Sequence, residues 1–164
     1  ANFGRRGEFN LLVVPVGDLL TEEIAPMPKR TEQPKPEAPG NSIIVVVATD
    51  VPLLPHQLNR VAQRVSLGVG RTGGTGKNSS GDLFIAFSTA NAGAWAKDSG
   101  STFKLETLPN DAIDSVFDAT IQATEEAIIN ALFAAETMIG RSGNTVFELP
   151  EEAVLQLMRE HLSR

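Results

Sequence analysis

The sequence predicts a layered α/β or α+β domain. Two observations carry this: short apolar runs alternate with segments whose apolar residues recur at helical spacing, and one Pro-rich stretch separates the first run from the rest. The expected order is strand, linker, strand, helix, strand, long helix, strand, helix. These strands are too few for a complete two-sheet sandwich, so the domain reads as incomplete, with its other half expected elsewhere.

The elements follow from local chemistry. NLLVVP over 10–15 is an apolar run closed by Pro15 and a Val16-Gly17-Asp18 turn, and reads as a short strand. From Thr21 to Gly40, prolines at 26, 28, 34, 36 and 39 among many charges indicate an exposed, poorly structured linker. SIIVVVATD then begins abruptly at Ser42, a β-branched run of the kind found in strands buried on both faces. Leu58, Val61, Ala62, Val65 and Leu67 give 55–67 the spacing of a helix, with Gly68, Gly70, Gly73, Gly74 and Gly76 expected to end it and form a loop. DLFIAFST over 82–89 is a second apolar strand. Asn110 and Asp111 offer caps for a long helix through about Met138, stopped by Gly140. TVFEL over 145–149 reads as a last strand, and Pro150 with Glu151 and Glu152 opens a C-terminal helix.

Composition excludes several function classes. The chain has 164 residues and no Cys, which removes disulfides, thiolate ligands and a cysteine nucleophile. With only His56 and His161, a multi-histidine metal site is not expected either. A net charge of -6 and scattered Lys and Arg argue against nucleic acid. LLVVPV (11–16) and IIVVVA (43–48) are far too short to cross a bilayer, so no membrane partner is expected. The ANFGRR start lacks the pattern of a signal peptide and an initiator Met, and is expected to lie inside a longer precursor. Absence of Cys fits a cytoplasm, favoured over a periplasm that it also suits.

The break before Ser42 is the most informative feature. Gly40 tolerates unusual backbone geometry, and a turn at Asn41-Ser42 can bring the Ser42 hydroxyl to the preceding carbonyl. Attack there, followed by hydrolysis of the ester, would leave Ser42 as a new N-terminus. Its freed α-amino group, with a reference pKa of about 7.7–8.0, suits a general base at neutral pH. For an arbitrary serine at such a junction, simply starting a strand after a turn is the commoner role.

PGNSIIVVVATDVPLLPHQLNRVAQR, GKNSSGDLFIAFSTAN and ATEEAIINALFAAETM, in this order, resemble the DmpA/BapA family of aminopeptidases, the L-aminopeptidase/D-esterase or β-peptidyl aminopeptidase group. The resemblance runs through essentially the whole chain. It implies an αββα sandwich shared with the ornithine acetyltransferases, incomplete in this chain. It also implies a precursor cut once between Asn41 and Ser42, so that residues 1–41 end an α chain and 42–164 form a β chain. In the same way it implies Ser42 as nucleophile, Ser80 as a neighbouring hydroxyl, Asp82 as an orienting acid and Asn2 as an oxyanion donor. The family's tyrosine and a further acidic residue have no match here. The implied activity is removal of an N-terminal residue from short peptides, amides or esters, without metal or organic cofactor. The implied partners are the rest of the precursor and further αβ units in a homo-oligomer. Two alternatives stand beside this: acyl transfer, as in the ornithine acetyltransferases, whose nucleophile is typically Thr, and an inactive fragment lacking part of the site.

Other signals are set aside. Gly68, Gly70 and Gly73 satisfy GxGxxG but follow a helix, which is the wrong context for a dinucleotide site. Gly76-Lys77 lacks the following Ser or Thr of a phosphate loop. The Gly-rich segment is expected instead to let backbone approach a substrate or the nucleophile. His56 fits a helix cap or the surface, His161 a solvated helix end, Asn78-Ser79-Ser80 a chance sequon, and Trp95 packing beneath a loop.

Overall fold

The computed structural model describes residues 5–29, 42–95 and 102–163. At its centre lies a parallel pair, β1 (Ile44–Thr49) and β2 (Leu83–Ser88), in register from Ile44 opposite Leu83 to Thr49 opposite Ser88. Parallel neighbours require a crossover, and α2 (Pro55–Arg71) supplies it. Pro55 occupies the first helical position, where its missing N–H costs nothing. Two residues on, Gln57 reaches back so that its Oε1 accepts the Leu54 N–H at 2.9 Å, as in half of a capping box. The Gln57 amide also donates to the Leu108 carbonyl at 2.8 Å, which ties the incoming segment of α3 (Asp114–Phe133) to the start of α2.

α2 and α3 pack together on one face of the sheet. Ile43, Val65, Val69 and Ile128 form one buried cluster with Val45, Val47 and Phe84 against it; Leu53, Val61, Ile113 and Phe117 form a second with Ala86. The helices approach closely at Gly68, where a Cβ would lie 2.7 Å from the Ile121 carbonyl oxygen and from Thr124 Cβ. Gly68 and Gly70 therefore do not end the helix, contrary to the sequence expectation. The stop comes at Gly73, with φ +98°, where the Gly73 and Gly74 N–H groups bond back to Gly70 and Val69 in a Schellman arrangement.

The other face of the sheet is open. Ile44, Val46, Leu83, Ile85 and Phe87 are all exposed, Ile44 at 66%. The expectation that SIIVVVATD is buried on both faces thus fails, because among the described residues only one helical layer covers it. A cleft of about 1040 Å³ runs along the edge of β1 away from β2, with Ala127 and Ala131 of α3 on one wall and Leu20 and Leu149 on another.

Two further segments complete the described fold. α1 (Val16–Leu19) and the residues before it bury Leu11, Val14, Val16 and Leu20 against Val154 and Met158 of the C-terminal helix α4 (Glu151–Leu162). NLLVVP is not a strand: Leu11 and Val14 exchange backbone bonds of 3.0 Å across a tight turn in which Leu12 has φ +54°. Burying the two outer residues while Leu12 and Val13 point outward requires that reversal. α3 ends at Phe133, short of the expected Met138. Thr137 and Glu148 bond reciprocally, N–H to carboxylate at 3.2 Å and N–H to hydroxyl at 3.1 Å, and draw the chain across into an antiparallel pair. That pair, β3 (Met138–Ile139) and β4 (Thr145–Val146), takes only the first two residues of the strand expected over 145–149. Asn110 does not cap α3; its Oδ1 accepts from Gln57 and Arg60 instead. Lys29 bridges to Thr145, and linker residues 30–41 lie outside the described residues.

Candidate active site

The site forms where β1 and β2 begin. Extending the parallel register two residues back sets Ser42 opposite Gly81 and Ile43 opposite Asp82. The ladder holds there: the Leu83 N–H donates to the Ile43 carbonyl at 3.1 Å. Strand alternation puts Ser42 in step with Ile44 and Val46 on the open face, whereas Ile43 turns into the core. The nucleophile candidate is therefore presented to the uncovered side at the head of the β1–β2 ladder.

Three polar groups converge. The Gly81 N–H donates to Ser42 Oγ at 2.9 Å. Asp82 Oδ1 accepts twice, from the Ser80 hydroxyl at 2.6 Å and from the Ile43 N–H at 3.0 Å. The short O–H···O⁻ distance is that of a charge-assisted bond. Asp82 thus fixes Ser80 and the backbone one residue after Ser42. A Cβ on Gly81 would lie 3.5 Å from the Ser42 hydroxyl oxygen, an ordinary contact. That segment turns at Lys77, whose carbonyl accepts the Ser80 N–H at 2.7 Å.

Of the residues singled out in the sequence, Ser42, Ser80 and Asp82 are thus brought together. Asn2 and Asn41 lie outside the described residues. His56 stands exposed at the start of α2 and His161 exposed at the end of α4. Sequence reasoning missed the Gly81 N–H as a partner of Ser42. The signal lay in the spacing, since two parallel strands offset by the Ile44–Leu83 separation carry Gly81 to Ser42.

The model of peptidase family S58 matches residues 1–146. The chain belongs to that family. It is 44% identical over 165 residues to the β-peptidyl aminopeptidase BapA of Sphingosinicella microcystinivorans, covering 98% of this chain and 41% of the relative. Among solved structures, it matches the PH0078 protein of Pyrococcus horikoshii OT3 with a TM-score of 0.80 and 41% identity, over 98% of this chain and 41% of that one. The L-aminopeptidase D-Ala-esterase/amidase of Ochrobactrum anthropi, described as a prototype serine aminopeptidase with a variant Ntn hydrolase fold, matches with a TM-score of 0.80 and 39% identity, over 98% and 42%. The fold class of this S58 member is therefore that α/β sandwich, of which the β1–β2 pair and the α2–α3 layer are one part. The chain spans about two fifths of the length of these relatives.

Proposed function

We propose that this S58 chain is the Ser42-bearing part of a self-processing serine aminopeptidase. The observation that carries the reading is the position of Ser42: in step with the open face, two residues before β1, with its hydroxyl oxygen held by the Gly81 N–H at 2.9 Å. In the uncut chain, Ser42 Oγ attacks the Asn41 carbonyl carbon. The C–N bond to Ser42 breaks, an ester forms, and the nitrogen gains the hydroxyl proton. Water then hydrolyses the ester, which leaves a carboxylate on Asn41 and a free amine and hydroxyl on Ser42. Residues 1–41 thereby close the α chain and 42–164 form the β chain.

In turnover the Ser42 amine takes the proton from its own hydroxyl as Oγ attacks the acyl carbon of a short peptide, amide or ester. The proton passes to the leaving amine or alcohol, and water releases the acyl group from Ser42. Asp82, already bonded to the Ile43 N–H, lies one residue from the new ammonium and holds it in place. Ser80 keeps that carboxylate oriented. Asn2 is the oxyanion donor by family resemblance, a role worth roughly 3–4 kcal/mol of transition-state stabilisation. The uncovered apolar face of β1 and β2 and the cleft beside β1 are where the remainder of a precursor of the relatives' length packs. The assembled αβ units associate further as a homo-oligomer, in the cytoplasm.

Intact mass of the full-length protein tests this directly. Wild type is expected to split before Ser42 and to release free acid from an amino-acid amide, and Ser42→Ala to remain whole and inactive. A wild type that stays whole, or an alanine variant that still splits there, sinks the mechanism. Product found on an added amine acceptor, with no free acid, would make it a transferase.

A further inference from the structure

The Glu8–Lys77 ion pair stands outside the machinery just described. Lys77 Nζ lies 2.7 Å from Glu8 Oε1. Surface ion pairs are ordinarily worth little, but three observations distinguish this one. Glu8 Oε2 is buried with no hydrogen-bond partner, so Lys77 is what offsets the charge of a carboxylate already partly removed from water. The backbone around Glu8 is itself fixed. The Arg6 guanidinium donates to the carbonyls of Leu20, Thr21 and Ala25, and Gly17 N–H donates to the Phe9 carbonyl at 2.9 Å. Finally, Lys77 acts at both ends, since its carbonyl accepts the Ser80 N–H at 2.7 Å in the turn that delivers Ser80, Gly81 and Asp82 to Ser42.

The loop from Gly73 to Gly81 is accordingly anchored at three points. Its start is pressed on the Glu8 segment: Asn10 N–H donates to the Thr72 carbonyl at 3.3 Å, and a Cβ on Gly73 would lie only 1.6 Å from the Glu8 carbonyl oxygen. Its end joins the β1–β2 ladder. Its middle, which includes Gly76 at φ +57°, is held by the Lys77 side chain.

We infer that Glu8 and Lys77 are positioning residues, a clamp that sets the Lys77–Ser80 turn and through it the Gly81 N–H on Ser42. The catalytic part of this rests on the proposed function. Neither side chain touches the reacting atoms. The clamp acts by fixing backbone, and misplacement of a reacting group by about 1 Å costs on the order of a hundredfold in rate.

The test uses the full-length protein with Lys77→Met, Glu8→Gln and Lys77→Arg. Lys77→Met and Glu8→Gln should each lower kcat about tenfold with KM changed by less than about twofold, because transition-state geometry is lost and not uniform binding. Lys77→Arg should recover most of kcat, as it keeps the charge. Amide hydrogen exchange over residues 73–82 should speed up in Lys77→Met and not in Lys77→Arg. Unchanged kcat in a folded Lys77→Met protein, or Lys77→Arg no better than Lys77→Met, overturns the clamp. If wild type shows no Ser42-dependent hydrolysis, the proposed function fails on its own. The exchange experiment then decides the clamp, and equal protection in all three proteins overturns it.

Discussion

The two faces of the β1–β2 sheet are made of the same kinds of residue and meet opposite fates. Val45, Val47, Phe84 and Ala86 pack on α2 and α3, whereas Ile44, Val46, Leu83, Ile85 and Phe87 face outward uncovered. A strand meant to have one wet face alternates apolar with polar residues; one meant to be covered twice is apolar throughout. These strands are of the second kind, so their sequence suits a second covering layer, which the described helices do not provide. The open face is also the one that presents Ser42. Ser42 is thus presented beside an uncovered apolar face, and under the proposed function substrate and the rest of the precursor would meet the sheet from that same side.

Neighbouring residues on β2 separate the two faces experimentally. Phe84→Ala should cost about 2–3 kcal/mol by urea denaturation, both in the 164-residue chain and in the full-length protein, because it empties space against Ile43, Val65 and Ile128 in either context. An equal loss in both would anchor the comparison. A loss below about 0.5 kcal/mol would mean that the helical layer does not hold the sheet.

Ile85→Ala is the smaller and more discriminating change. In the 164-residue chain, Ile85 is 46% exposed and its truncation should stay within about 0.5 kcal/mol. In the full-length protein it should cost about 2 kcal/mol, since burial removes the same methyl groups from water. A near-zero cost in both would break the comparison, for the open face would then have no covering layer to lose.

Legibility in the sequence followed the range of the interactions. β1, β2 and α2 were readable because apolar runs and 3.6-residue spacing are local signals. The boundaries that failed were set at a distance. Gly68 stays helical because α3 needs bare backbone there, and α3 stops early because Thr137 is claimed by Glu148. Leu11 to Val14 folds back because α4 buries only its outer residues. Within the candidate site, Ser42, Ser80 and Asp82 were found through family resemblance and a compositional break. The Gly81 N–H and the Glu8–Lys77 pair were not, because a backbone donor leaves no residue-type signal and Glu8 meets Lys77 only once the loop is folded.

Where the two strands begin, Asp82 falls in step with Phe84 on the covered side while Ser42 is in step with Ile44 on the open one. Asp82 thus reaches the Ser42 end of the strand from the covered side, where it accepts the Ile43 N–H at 3.0 Å. Under the proposed function the amine must be deprotonated to accept the hydroxyl proton, so kcat/KM should rise with pH through a single limb set by the Ser42 α-amino group. A carboxylate beside an ammonium favours its protonated form and raises that pKa. Asp82→Asn removes the carboxylate, so the rising limb should move to lower pH even as the maximal rate falls through loss of orientation. The pH profile of the processed full-length enzyme measures both. A limb that stays in place, or moves to higher pH, would show that Asp82 serves the turn at Ser80 and not the amine, and that the two faces of the sheet are chemically uncoupled at the nucleophile.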